Sequence, residues 1–266
     1  MALKDMLVLL DNSPHCLPRL ELAIGLARRH AARLTGLYVT SHGFYEPQQG
    51  DAESKAARLE AEFRGMTDRG GITATWLGVD WKVIGVAVAE IVILHAHYAD
   101  LVIIGQTDHG SQDRSIPTDT PERVVQGAGR PVLIVPYAGM HANVGTRIMV
   151  AWKSGRESTR AVGDALPLLE QAEQISVLEV NPAPPEGEQG ARLCTHLAVH
   201  GITARAEWIA TTDVGVGDVL LNRVSTAGSD LLVMGACTPS RFGTPVLGEV
   251  ARHILAHMTV PVLMSH

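Results

Sequence analysis

The chain carries one passage twice. Residues 230–266, DLLVMGACTPSRFGTPVLGEVARHILAHMTVPVLMSH, repeat residues 100–136, DLVIIGQTDHGSQDRSIPTDTPERVVQGAGRPVLIVP, without a gap, so Asp100, Gly105 and Pro131 correspond to Asp230, Gly235 and Pro261 at a constant offset of 130. Whatever one copy folds into, the other must fold into as well, and the chain therefore reads as a duplicated unit.

The punctuation of the passage gives its local structure. Residues 231–234 are continuously apolar, as in a strand covered on both faces, and Gly235 ends the run where the backbone can turn sharply. A helix from about residue 246 follows, with Leu247, Val250, Ile254 and Met258 on one face, and its N-terminal N–H groups would point back at the turn as an anion cradle. Pro261 then opens a last strand, a position proline tolerates.

Upstream of each passage the same alternation recurs. In the first copy strands are expected at 6–10, 33–40 and 72–79, and helices after Pro14 (Leu17, Leu20, Ile24 and Ala31 at helical spacing), over 51–69 and over 82–97. In the second, strands at 147–152, 174–180 and 202–210 alternate with helices at 157–170, 191–200 and 216–227, after a short junction at Asn143 and Gly145. Five strands alternating with four helices imply parallel strands joined by right-handed crossovers in an open sheet. The first strands match at an offset of 142 (Asp11 with Lys153) rather than 130, so the copies differ by 12 residues before the fourth strand, assigned to the loops and helix after strand two. The expected domains are 1–140 and 144–266.

At 266 residues and 46% hydrophobic composition the chain can bury two ordinary cores. A formal charge of −6 without a lysine- or arginine-rich block argues against nucleic acid or an anionic membrane as the main partner. Cys16, Cys194 and Cys237 have no CxxC spacing and suit a reducing cytosol. No apolar run is long enough to span a bilayer, and no export signal precedes the first strand.

Taken together, the strand-to-acid start LVLLDNSP, the DLVIIG and DLLVMG strands, the PERVV and ARHIL helices and the closing RPVLIVP and VPVLMSH resemble the universal stress protein family, arranged as two domains in tandem. The resemblance covers nearly the whole chain. It implies an α/β fold of two doubly wound five-stranded parallel sheets, strand order 3-2-1-4-5, related by a pseudo-twofold axis, with the last strands paired antiparallel. It also implies a cytoplasmic stress-response protein, a homodimer, and a ligand crevice beyond the C-terminal tips of strands one and four.

Many family members bind ATP there through Gly-x2-Gly-x9-Gly-Ser/Thr. Against that pattern the second copy has Gly235, Thr238, Gly248 and Glu249, and the first has Gly105, Asp108, Thr118 and Asp119. A carboxylate at the helix start is attracted by the dipole, can satisfy free N–H groups and repels an incoming phosphate, so the eroded motif argues against ordinary ATP binding and no cofactor is expected. The degenerate sites implied by the resemblance are Asp11, Val39, Gly105, Asp108, Thr118 and Asp119 in the first domain. In the second they are Lys153, Val180, Gly235, Thr238, Ser240, Arg241, Gly248 and Glu249.

Lys153 replaces the acid that Asp11 supplies, and an ion pair between Lys153 and Glu249 would close the second crevice, with Ser240 and Arg241 at its mouth holding an anion. Asp11, Asp108, Asp119 and His109 would either gather a divalent cation or stay solvated. The pairs His196/His200 and His253/His257 have metal-ligand spacing but no third ligand, and fit better as helix-end side chains. Ser13, Ser111 and Ser240 lack a GxSxG setting, which argues against a hydrolase, and Cys237 reads as a small packing residue. Three readings remain: a non-catalytic module with a small-molecule or anion crevice, an ATP or AMP sensor using the second domain, and a ligand-free module with self-filled pockets that binds protein partners.

Overall fold

The computed structural model describes residues 2–41, 49–81, 87–110, 115–139, 144–238 and 246–266. Two compact units divide the chain, Ala2–Ala142 and Asn143–His266.

The first unit runs β1 (Asp5–Leu10), α1 (Cys16–His30), β2 (Arg33–Ser41), α2 (Gln49–Gly70), β3 (Ala74–Trp81), α3 (Val88–Ala96), β4 (Leu101–Gly105), α4 (Thr120–Gly127) and β5 (Val132–Val135). Its strands are all parallel in the order β3-β2-β1-β4-β5. The winding reverses between β1 and β4. With right-handed crossovers this puts α1 and α2 on one face and α3 and α4 on the other, and each of these two pairs is in contact.

The second unit runs β6 (Arg147–Ala151), α5 (Arg156–Leu169), β7 (Gln174–Val180), α6 (Glu188–Val199), β8 (Arg205–Ile209), α7 (Val216–Ala227), β9 (Leu231–Gly235), β10 (Cys237–Thr238), β11 (Val246–Leu247), α8 (Glu249–His257) and β12 (Val262–Ser265). Its parallel order, β8-β7-β6-β9-β12, is the same winding, and the 3-2-1-4-5 order implied by the resemblance holds in both units. The central strands are covered on both faces, which is why they read as unbroken apolar runs: Met6 to Leu10, Leu101 to Ile104 and Leu231 to Met234 are all buried.

The acid that opens each duplicated passage has a structural task. Asp100 Oδ2 accepts the N–H groups of Lys4 and Asp5 at 2.8 and 3.0 Å. Asp230 accepts those of Gly145, Thr146 and Arg147 at 2.9, 3.0 and 3.1 Å. Each ties the start of strand four to the start of strand one, at the end of the sheet away from the crevice.

Most of the length difference between copies lies in one helix, since α2 has 22 residues and α6 has 12. Several boundaries move from their sequence expectations. The last helix begins at Glu249, not near 246, because Val246 and Leu247 pair with Thr238 and Cys237 as a two-residue ribbon. The apolar stripe of α1 keeps Leu20 and Ile24 but not Leu17 and Ala31, which are exposed, and takes in Cys16 and Arg19 instead. Glu188 to Gly190, ahead of the helix expected from 191, form the first turn of α6. Strand β3 reaches Trp81, past the expected end at 79, and residues 82–86 of the expected third helix lie outside the described residues.

Candidate functional site

At the tip of β1, Asp11 takes an N–H bond from Ser13 (Ser13 N to Oδ1, 2.9 Å), the local turn its sequence suggests. Its other oxygen is held by Arg19, which reaches back from the first turn of α1: Nη2 lies 2.6 Å from Asp11 Oδ2, and Nε donates to Leu9 O at 3.1 Å. Both residues are buried, Arg19 at 3% exposure. Burial alone would raise the Asp11 carboxyl, but the Arg19 guanidinium and the Ser13 bonds outweigh it and the net shift is downward. Burial likewise pulls against the Arg19 charge, and Asp11 more than restores it. Neighbouring Cys16 is pushed up, chiefly by burial.

Arg19 occupies the space in front of Gly105, where a built Cβ would collide with its Nη1. The crevice of the first unit is therefore reduced to about 60 Å³, room for water and not for a nucleotide. Asp11, Gly105, Asp108 and Thr118 line it; buried Val39 and exposed Asp119 do not. Asp108 is engaged locally, accepting Gly110 N at 2.9 Å, and His15 stands 3.7 Å away. Asp119 occupies the N-cap position of α4 without bonding any of its N–H groups, and pairs with Arg123 at 3.5 Å. The gathering of Asp11, Asp108, Asp119 and His109 around a cation does not form: Asp11 already has a cationic partner, and Asp119 and His109 are exposed and do not line the cavity. Among the described residues no group of three or more His, Cys, Asp or Glu is arranged to hold a metal ion.

The second unit is different. A crevice of about 790 Å³ opens over the tips of β6 and β9, within the range that small-molecule sites occupy. Lys153, Val180, Gly235, Gly248 and Glu249 all line it. Ser240 and Arg241, expected at its mouth, lie outside the described residues, as does Ser111, and the side chain of Thr238 is likewise undescribed. The ion pair expected between Lys153 and Glu249 is not made; both side chains are exposed, and among the described residues no salt bridge joins them. Exposed surface ions gain little from pairing, so nothing enforces the contact. The self-closing ion pair belongs to the first unit, between Asp11 and Arg19.

Burial register explains the contrast. At the offset of 142 that relates Asp11 to Lys153, Leu20 matches Val162 and Ala23 matches Ala165, all buried, and Arg19 falls on Ala161. A methyl group thus stands where the plugging guanidinium would start. Gly235 serves the chain itself: a Cβ there would lie 2.7 Å from the carbonyl carbon of Glu157 and 2.8 Å from Ser158 N, so the glycine admits the start of α5. Glu249 occupies the first position of α8 after the extended Gly248, where the dipole favours an acid.

Sequence reasoning missed Arg19 and also Glu179. The Glu179 side chain, on β7, is 4% exposed and lines the second crevice, with Oε2 accepting Gly190 N at 2.7 Å from the first turn of α6. The signal was available: an acid inside the apolar run ISVLEV, and an arginine on the buried stripe of α1. The rings of His196 and His200 meet edge-on with centroids 5.1 Å apart, those of His253 and His257 are tilted at 4.6 Å, and His253 Nε2 bonds Asp218 Oδ1 at 2.9 Å. Cys237 is buried in the crevice wall.

Two doubly wound parallel sheets in one chain, each with its crevice at the reversal point, define a tandem protein of the open α/β type. The family model described as the universal stress protein family matches residues 2–136, and the chain belongs to that family. The fold matches a universal stress protein from Archaeoglobus fulgidus DSM 4304 with a TM-score of 0.76 at 16% identity, over 98% of this chain and 96% of that one. It also matches a functionally unknown protein from Pseudomonas aeruginosa PAO1 with a TM-score of 0.61 at 17% identity, over 99% and 92% of the two chains. No curated protein matches the chain.

Proposed function

We propose that this universal stress protein is a non-catalytic, ligand-responsive module of stress physiology in which the second domain holds a small ligand and the first is closed by its own side chains. The observation that carries the reading is the contrast between crevices of about 790 and 60 Å³, produced by Arg19 standing against Gly105. Glu249 at the start of α8 supports a ligand other than ATP in its usual pose, because a carboxylate takes the place of a phosphate-binding hydroxyl.

The plugged first domain favours a second role for that half, as an interaction module whose partners meet surface and not crevice. Cys16, Cys194 and Cys237 form no disulfide among the described residues, which fits a reducing cytosol, and we place the protein there as a homodimer. Mass spectrometry of the small molecules that co-purify with the full chain tests the ligand reading. A bound compound lost on Val216→Trp, which fills the crevice wall, is expected; retention of that compound by the variant would overturn the assignment to the second domain.

A further inference from the structure

Glu179 is a carboxyl side chain with 4% exposure that receives one hydrogen bond, from Gly190 N, and no ion pair among the described residues. Capping the first turn of α6 accounts for Oε2. A built Cβ on Gly190 would lie 2.8 Å from that oxygen, so the glycine lets the helix close onto the acid and fix its direction. The second oxygen still has its full acceptor capacity in a wall of the crevice. A carboxylate oxygen with no protein partner in a crevice wall is available to a ligand that donates a hydrogen bond. On the neighbouring strand, just past β6, Trp152 lines the same crevice, and its indole Nε1 is buried without a hydrogen-bond partner.

The charges around the cavity point the same way. Its described lining contains three carboxyl side chains, Glu157, Glu179 and Glu249, against one cation, Lys153. Among these described side chains a triphosphate finds Lys153 as its one cation, whereas a flat, weakly charged ring would meet apolar walls from Leu178, Val180 and Leu220.

We infer that the second crevice selects a ligand that donates hydrogen bonds and carries little negative charge, an amine- or hydroxyl-bearing ring, with Glu179 as the acceptor that recognises it. This rests on the second domain being the binding domain. A pre-positioned carboxylate with one open oxygen accepts from a ring amine or hydroxyl, and its fixed direction avoids the entropy of ordering it on binding.

The test is calorimetric titration of the full chain with adenosine, AMP and ATP, which add phosphate charge on one scaffold. Adenosine is expected to bind most tightly and ATP at least about tenfold more weakly. Glu179→Gln, which keeps an amide oxygen for the Gly190 N–H, is expected to weaken adenosine roughly tenfold to a hundredfold, and Glu249→Gln to strengthen ATP. Thermal melting of both variants checks that the fold is kept. ATP binding as tightly as adenosine, or unchanged adenosine affinity in Glu179→Gln, overturns the inference while leaving the second crevice as a binding site. Adenosine binding that survives Val216→Trp, or no binding of any probe, removes the reading of the second domain on which the inference rests.

Discussion

Arg19 Nη2 stands 2.6 Å from Asp11 Oδ2, and this pair lies in the crevice where the fold would otherwise admit a ligand. Removing one partner leaves the other buried and uncompensated. Arg19→Ala should therefore destabilise the first domain by about 3–5 kcal/mol, measured by denaturant unfolding. Replacing both, as Arg19→Met with Asp11→Asn, should recover most of that loss, because the desolvation of two charges disappears with their attraction. A single variant with wild-type stability would show the pair to be incidental.

The same pair sets an acid limit. The folded Asp11 carboxyl lies below its ordinary value of 3.8, since Arg19 and Ser13 outweigh the upward push of burial. A group whose pKa is depressed on folding contributes stability that is complete above its unfolded value and is lost as pH falls through the folded one. The first domain should lose this contribution below pH 3.8, and the Arg19→Met, Asp11→Asn double variant should lack that part of the acid unfolding curve. Unfolding followed from pH 6 downward on both proteins reads the difference directly.

Asp230 holds three backbone N–H groups at the opposite end of the second sheet from the crevice. Asp230→Ala should cost about 2–3 kcal/mol in stability with ligand affinity unchanged, because the strand starts lose their acceptor while the strand tips keep their geometry. A variant that binds less tightly at full stability would place Asp230 in a role the structure does not give it.

Gly190→Ala should separate packing from recognition in α6. The new methyl would crowd Glu179 Oε2, built 2.8 Å away, and turn the carboxyl from its fixed direction. Adenosine affinity should fall with a stability loss of about 1 kcal/mol or less, helped by the better helix propensity of alanine. Calorimetry with a parallel melt decides this.

The fold was legible because two independent signals agreed: apolar runs bounded by glycine and proline, and an internal copy that repeated them. The site was legible only in part. Motif positions placed Lys153, Gly235, Gly248 and Glu249 on the second crevice, yet the residue that distinguishes the crevices is Arg19, whose side chain leaves its own position and travels back along α1. Spacing gives the start of a long side chain and not its end. The expected Lys153–Glu249 pair failed for the converse reason, since neither side chain is forced out of water. Boundaries at α8 and α6 moved because a two-residue ribbon and a buried acid, both non-local contacts, decide where those helices begin.

The most direct test of the central claim, one open crevice and one plugged crevice in a duplicated chain, is the stoichiometry of adenosine on the intact protein by native mass spectrometry. The account predicts one adenosine per chain, none in Val216→Trp and still one in the Arg19→Met, Asp11→Asn double variant or two if the emptied first crevice admits it. Two per chain in the wild type, or one that persists in Val216→Trp, would contradict it.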